Sequence, residues 1–172
     1  LESTFAGDTI YNDLLPNDGS AEFIKQSHDF YAGYLARVKK FDRESLDEED
    51  QLSYDIFTYE AQLALDGFKY HFEYMPFNQF FALPLTIGQF GSGSSAQPFK
   101  TVKDYDNWLK RLDAFAVWAD TAVANFNKGI KAGMVMPKAL VVKMVPQMES
   151  MVVSTPEKSL FYEPVTNMPK TF

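Results

Sequence analysis

The sequence predicts an all-α fold, an irregular bundle of about four helices with a long loop and an extended C-terminal tail. Apolar side chains recur every three or four residues through four segments. Residues that cap helices precede these segments, and no run alternates as a half-buried strand does. We expect residues 1–172 to form one helical domain, the N-terminal portion of a longer chain. The loop, rich in Pro, Gly and aromatic residues, is predicted at 71–100 and the tail at 155–172.

The first predicted helix runs from about Ser20 to Lys40. Ser20 is a favourable N-cap because its hydroxyl oxygen can accept a hydrogen bond from a free amide of the first turn. The cationic pair Lys39-Lys40 suits the negative end of the helix dipole. The apolar stripe of this helix consists of Phe23, Ile24, Phe30, Tyr31, Tyr34, Leu35 and Val38.

The second predicted helix runs from about Asp47 to Tyr70. Ser45 and Glu48 have the spacing of a capping box, and the acidic run from Asp47 to Asp50 suits the positive end of the helix dipole. Its apolar positions cover a wide face, so we expect burial on more than one side. These positions are Leu52, Ile56, Phe57, Tyr59, Leu63, Ala64 and Phe68.

The segment 71–100 is longer than an ordinary connection, which favours a functional or mobile loop. Asn78, Gln79 and Phe80 are our candidates for a substrate cleft, because amides among aromatic residues can orient a ligand. The alternative is that the two amides satisfy backbone groups of the loop itself. The stretch from Gly91 to Ser95 lacks the sequence of a phosphate loop or a nucleophile elbow, and we interpret it as a flexible lid tip.

The third helix is the clearest. Thr101 and Asp104 have the spacing of a capping box, and Gly133 is a suitable C-cap. The apolar face is predicted to contain Tyr105, Trp108, Leu109, Leu112, Phe115, Ala119, Val123, Phe126 and Ile130. The polar face is predicted to contain Lys103, Asp106, Lys110, Arg111, Asp113 and Lys128.

A fourth helix is predicted to have Pro137 in its first turn and to end near Val153, with a kink at Pro146. Five Met residues between 134 and 151 form either an adaptable binding face or, the interpretation we favour, core or interdomain packing. The tail 155–172 is predicted to wrap over another surface, because a solvated terminus rarely contains so many bulky residues. They are Phe161, Tyr162, Val165, Met168 and Phe172.

Composition excludes several classes of function. The net charge of −7 repels phosphate and no basic stripe is present, so nucleic acid is not an expected partner. The absence of Cys excludes disulfides, thiolate metal sites and a Cys nucleophile. No run of 18 apolar residues occurs, so no transmembrane segment is expected. The 16 Phe and 9 Tyr indicate either a Phe-built core or faces that meet a missing part of the protein.

The sequence predicts no catalytic residue and no metal ligand. His28 and His71 each lack a second His at helical spacing. His71 with Glu73 offers two ligands, whereas zinc sites use three or four. The acids from Asp47 to Asp50 lack EF-hand spacing, and the helix dipole explains them better than calcium does.

Several segments, in order, resemble the N-terminal part of the bacterial "domain of unknown function 885" family. No one of them is specific, but their order and spacing agree along nearly the whole chain. They are YNDLLP at 11–16, LDEEDQLSYD at 46–55, PFNQ at 76–79, PFKT at 98–101, GIKAGMVMP at 129–137 and FYEP at 161–164, with Tyr105, Trp108, Leu109, Arg111 and Leu112.

The resemblance implies an exported protein, periplasmic or on the outer surface, often lipid-anchored and similar to zinc metallopeptidases. The metal motif of such proteins lies downstream of the matched region. We therefore expect no cofactor in this segment and zinc in the full-length parent. The segment would be a non-catalytic wall or cover of a cleft, with the rest of the parent polypeptide as its partner and peptides as ligands.

The alternative is a self-sufficient helical binding or scaffold module. Under either interpretation, the aromatic excess and the apolar tail predict that this chain alone exposes a large apolar patch or forms a homodimer.

Overall fold

The computed structural model describes all residues from Leu1 to Phe172, and its regular elements are all helical, so the all-α prediction is confirmed. None of the helices combines the length and apolar character that a membrane span requires. Short 3₁₀ turns lie at Arg43–Ser45, Phe72–Tyr74, Pro156–Lys158 and Leu160–Tyr162. The α-helices are α1 (Glu2–Phe5), α2 (Ala21–Val38), α3 (Glu48–Gly67), α4 (Leu83–Gly91), α5 (Val102–Ala132), α6 (Lys138–Glu149) and α7 (Glu163–Thr166).

The chain divides into two compact units. One contains residues 1–17 and 74–172, and we call it the core unit. The other contains residues 18–73, and we call it the hairpin unit because it consists mainly of α2 and α3, which pack along each other.

The two helices of the hairpin unit begin at side-chain caps. The Ser20 hydroxyl accepts a hydrogen bond from the backbone amide of Phe23 at 3.1 Å, as predicted. The predicted capping box of Ser45 and Glu48 is wrong, because the N-cap of α3 is Asp47. Ser45 instead belongs to a 3₁₀ turn, where its hydroxyl donates to the carbonyl of residue 42 at 2.7 Å.

The hairpin unit buries few apolar side chains. Only Leu35 of α2 and Ala61 of α3 are fully buried. The expectation that α3 is buried on more than one side is wrong for this chain, since two packed helices cover only one side of each other. One exposed row on α3 consists of Leu52, Ile56, Tyr59 and Leu63.

The core unit has a fully formed centre, and part of it comes from a helix that the sequence did not predict. Ile87 and Phe90 of α4 pack with Leu15 and Trp108. The predicted loop at 71–100 therefore contains α4. The sequence analysis placed Gly91 in a flexible tip, but this residue is the last of α4 and is buried. The Trp108 ring packs so closely on it that a Cβ at residue 91 would lie 2.9 Å from the ring.

Helix α5, with 31 residues, is the longest element, and both of its predicted ends are confirmed. The Thr101 hydroxyl accepts from the Asp104 amide at 3.3 Å, and the Asp104 carboxylate accepts from the Thr101 amide at 2.8 Å. Gly133 ends the helix in the left-handed conformation, with φ of 73°. A residue with a side chain rarely adopts that conformation, which explains the glycine.

The C-terminal part of the core unit differs from its prediction in detail. Pro137 is the N-cap of α6 and not a first-turn residue, and α6 ends at Glu149 with Pro146 inside it. The tail is not extended, because it forms two 3₁₀ turns and α7. The tail packs on α5 through two contacts. The Phe161 carbonyl accepts a hydrogen bond from Trp108 Nε1 at 3.3 Å, and the centroid of the Phe172 ring lies 5.9 Å from that of Tyr105.

Candidate functional site

The three predicted cleft residues form one tight turn before α4. Asn78 Oδ1 accepts hydrogen bonds from the backbone amides of Phe80 and Phe81, at 2.8 and 3.0 Å. Gln79 is held by its carbonyl, which accepts from Gln147 Nε2 at 3.3 Å, while its own Oε1 is buried without a partner. Phe80 and Phe81 are 79% and 80% exposed. The amide of Asn78 therefore supports the turn, and the turn presents two aromatic rings to the outside.

A groove of about 410 Å³ lies elsewhere in the core unit, between the end of α5, α6 and the segment before the turn. Its lining is apolar apart from Glu149 at the edge. Met side chains are unbranched and flexible, so such a lining can adapt to ligands of different shape. The lining residues include Met75, Phe77, Phe126, Ile130, Met134, Met144 and Met148.

Gly129 lies beside this groove, next to its lining residue Ile130. A Cβ at this position would lie 2.7 Å from the Met134 carbonyl oxygen and 2.8 Å from the Tyr74 carbonyl oxygen. Both backbones can cross α5 only because residue 129 has no side chain. The amide of Met134 also donates to the Gly129 carbonyl at 2.9 Å. The glycine thus fixes two of the three segments that form the groove.

The hairpin unit has an apolar cleft of its own, of about 520 Å³, between α2 and α3. Aromatic rings occupy its α2 side, where Phe30 and Tyr34 lie 4.6 Å apart between ring centroids. Both rings are exposed. The cleft is lined by Phe30, Tyr31, Tyr34, Phe57, Glu60, Ala61, Leu63 and Ala64.

A buried cation in the core unit was missed by sequence reasoning. Arg111 was predicted on the polar face of α5, but it is only 1% exposed. Its guanidinium donates to the carbonyls of Leu14 and Tyr11 at 3.1 and 3.0 Å, to the Thr4 hydroxyl at 2.7 Å, and to Gln97 Oε1. A usable signal was present, because residue 111 lies three positions after Trp108 and so falls on the buried side of the helix.

The N-terminal segment wraps this guanidinium. Asn12 is also buried, and its Oδ1 accepts from the Thr4 hydroxyl at 2.8 Å. The Phe90 ring lies 5.5 Å from the guanidinium carbon of Arg111. Burial lowers the pKa of Arg111 to about 10, and the negative charge of Asp13 opposes this lowering. At neutral pH the group remains charged and joins residues 4–14 to α5.

The histidines and acids do not assemble into a metal centre. His71 Nδ1 lies 2.8 Å from Glu73 Oε1, which brings together two groups of the kind that bind zinc. The structure has no group of three or more His, Cys, Asp or Glu placed to hold a metal ion. Asp47 of the acidic run caps α3, where its Oδ1 accepts from the Asp50 amide at 2.9 Å. These residues therefore do not fit a zinc ion by themselves, since zinc needs three or four ligands.

The arrangement offers binding surfaces: an exposed aromatic turn, a methionine-lined groove and an aromatic cleft in the hairpin unit. No curated protein and no solved structure matches the chain. The family model described as bacterial protein of unknown function (DUF885) matches residues 1–171. Because that match covers nearly all 172 residues, the chain belongs to the DUF885 family of bacterial proteins.

Proposed function

We propose that this chain is a non-catalytic helical region of an exported, peptidase-like bacterial protein. Its apolar faces would form a wall or cover of a peptide cleft, and another region of the parent polypeptide would supply the catalytic residues. Zinc, held by that other region, would activate the water that attacks the peptide. The proposed location is the periplasm or the outer surface, with a lipid anchor as one means of attachment.

The observation that carries the proposal is the amount of apolar surface on the long helices. The chain exposes 11708 Å². Two separate compact proteins of the sizes of the two units would together expose only about 10,000 Å². Large apolar side chains are exposed on all four of the longest helices, α2, α3, α5 and α6. On α3 they form a row on one face, Leu52, Ile56, Tyr59 and Leu63, and contiguous apolar surface of this kind marks contact with protein or ligand.

The turn at 78–81 is the part of the proposed wall that would contact a peptide. Asn78 holds the turn in place, and Phe80 and Phe81 project from it with no covering residue. Exposed aromatic rings on a rigid turn suit a peptide, because they bind apolar side chains at a small cost in conformational entropy.

Peptide hydrolysis by the intact parent polypeptide tests this proposal. We expect chelator-sensitive hydrolysis, and a several-fold lower kcat/KM in the double variant Phe80→Ser, Phe81→Ser. The matched control is Val152→Ser, Val153→Ser, which removes two other exposed apolar side chains away from the turn. The 172-residue chain alone should neither retain zinc nor hydrolyse peptides. Chelator-sensitive hydrolysis by that chain, or equal rates for the two double variants, would contradict the proposal.

A second candidate function is a self-sufficient binding module, and the methionine-lined groove favours it. A groove of about 410 Å³ is large enough for a small apolar ligand. Tight binding of apolar ligands by the 172-residue chain, abolished by Met144→Lys and Met148→Lys, would support this function. Such binding with no effect of the rest of the parent protein would favour the module over the cleft wall.

A further inference from the structure

Helix α5 has an exposed apolar row that repeats every seven residues. Val102, Leu109, Val123 and Ile130 are 56%, 54%, 61% and 65% exposed, and Ala116 between them is exposed too. Seven-residue spacing returns to nearly the same side of a helix after two turns. The row therefore runs along the whole length of α5, where Leu109 also borders the tail and Ile130 also borders the methionine-lined groove.

A second apolar row lies three residues after the first and completes a heptad pattern. Tyr105 is buried, while Leu112, Ala119 and Phe126 are partly buried against the core unit. Positions separated by three and then four residues are those that meet a partner in a two-helix seam. Here the inner row is packed and the outer row is uncovered, so α5 presents half of such a seam.

A row of acids borders the exposed apolar row. Asp106, Asp113 and Asp120 each follow an outer-row residue by four positions, and all three are exposed. The side chains of these three acids form no ion pair within the chain, and Lys110 of the same helix pairs with Asp13 instead, at 3.1 Å. Positions beside a heptad seam are where charged side chains of two helices meet.

We propose that the outer side of α5 docks a helix that has its own apolar heptad row and Lys or Arg at the flanking positions. The three carboxylates would form ion pairs with those cations, and Val102, Leu109, Ala116, Val123 and Ile130 would pack against the apolar row. Complementary charge beside an apolar seam selects the partner and its register.

A second copy of α5 does not suit this surface. In a symmetric antiparallel pair the two acidic rows would face each other, and like charges at such positions are unfavourable. In a parallel pair each acidic row would meet the positions of Trp108, Phe115 and Ala122, which face the interior of the core unit. The occupant is therefore a different helix, with cations placed opposite Asp106, Asp113 and Asp120. This inference rests on one part of the proposed function, namely that further polypeptide packs on the exposed faces of this chain.

Two synthetic helical peptides test the proposal against the 172-residue chain. Both have Leu and Ile in the heptad rows, and they differ only in having Lys or Glu at the flanking positions. Fluorescence anisotropy should show tighter binding of the Lys peptide at low salt, by roughly tenfold for three exposed ion pairs. The preference should shrink as added salt screens the charges. Equal affinity for the two peptides, or binding of neither, overturns the proposal.

A charge swap localises the binding to α5. The triple variant Asp106→Lys, Asp113→Lys, Asp120→Lys should lose the preference for the Lys peptide and gain one for the Glu peptide. Circular dichroism checks that the variant is folded. The control replaces Glu22, Glu48 and Glu49 of the hairpin unit by Lys, which changes the net charge equally and should preserve the original preference. An equal loss in this control would mean that overall charge, not the α5 seam, governs binding.

The two proposals can fail separately. If the Phe80 and Phe81 variant impairs the parent protein but neither peptide binds, the cleft wall stands and the α5 inference fails. If the peptides discriminate as expected but the parent hydrolyses no peptide, α5 is a docking helix and the peptidase proposal fails.

Discussion

The core unit and the hairpin unit are both helical, but they use their apolar residues in opposite ways. In the core unit Trp108, Phe90 and Ile87 are at most 1% exposed, and Arg111 beside them donates four hydrogen bonds to carbonyl and side-chain oxygens. In the hairpin unit α3 directs a row of large apolar side chains outward and buries only Ala61. The hairpin is thus held by the packing of α2 along α3, which includes the contact of Tyr31 with Phe68, and it encloses few side chains completely.

This difference shows where large apolar side chains remain exposed, which includes both helices of the hairpin unit. A core that encloses a tryptophan and an arginine specifies one packing arrangement. Two helices with aromatic residues on their outer sides bury too little apolar surface to be stable alone, because helix formation is only marginally favourable without tertiary packing. We therefore expect stability to be unevenly distributed along this chain, with the hairpin unit as its weaker part.

The largest expected effect is in the core unit. Arg111→Met should lower the free energy of unfolding of that unit by roughly 3–5 kcal/mol, because buried carbonyl and hydroxyl oxygens lose their donor. Urea denaturation followed by Trp fluorescence measures this. Lys110→Met is the matched control, since Lys110 is exposed, and it should change stability little. A loss below 1 kcal/mol for Arg111→Met would mean that the guanidinium does not hold the N-terminal segment.

A smaller effect is expected at Gly129, beside the methionine-lined groove. Gly129→Ala should destabilise the core unit by about 1–3 kcal/mol, because the new Cβ would overlap two carbonyl oxygens. The same denaturation experiment applies, and the groove should lose affinity for an apolar dye. Unchanged stability would show that the segments at Tyr74 and Met134 can move away without cost.

A Gly→Ala substitution in the hairpin unit should increase stability, whereas Gly129→Ala lowers it. Gly33 lies inside α2, and a Cβ there would meet nothing within 4 Å. Gly33→Ala should therefore stabilise α2 by about 0.5–1 kcal/mol, since alanine loses less backbone entropy in a helix. Amide hydrogen exchange of residues 21–38 measures this. Slower exchange is expected, and faster exchange would indicate a packing contact at residue 33.

The smallest expected effect depends on pH. Hydrogen bonds from Arg43, at 2.8 and 2.7 Å, lower the pKa of Asp55 below its ordinary value. The ion pair therefore stabilises the hairpin above the pKa of the unfolded state, and the contribution is lost as pH falls through the lower folded pKa. Asp55→Asn should destabilise slightly at pH 7, and this effect should disappear as pH falls through the lowered pKa of Asp55 in the folded state. Thermal melts across pH check this, with Glu60→Gln as the unpaired control.

The sequence predicted the helices whose ends are encoded locally. Ser20, Thr101, Asp104 and Gly133 act within a few residues, so their roles could be read from spacing alone. Helix α4 was missed because its segment is rich in Gly and Pro, and its burial depends on Trp108, a residue distant in sequence. Arg111 was misplaced because charge suggested solvent, whereas four oxygen acceptors from distant segments satisfy it.

The candidate site was only partly predictable for the same reason. Asn78, Gln79 and Phe80 were identified as a group, and they do share one turn. Nothing in their spacing indicated that Phe80 would be exposed while Gln79 would contact Gln147 of α6. The acidic row of α5 was visible in the sequence, but only burial shows that the neighbouring apolar row is uncovered.

Amide hydrogen exchange of α2 and α3 tests most directly the proposal that further polypeptide packs on the exposed apolar faces of these helices. It would be followed by mass spectrometry in the 172-residue chain alone and in the intact parent polypeptide. We predict fast exchange of the hairpin helices in the chain alone, with slow exchange of α5, and strong protection of the hairpin in the parent. Equal, high protection of α2 and α3 in both samples would contradict the account.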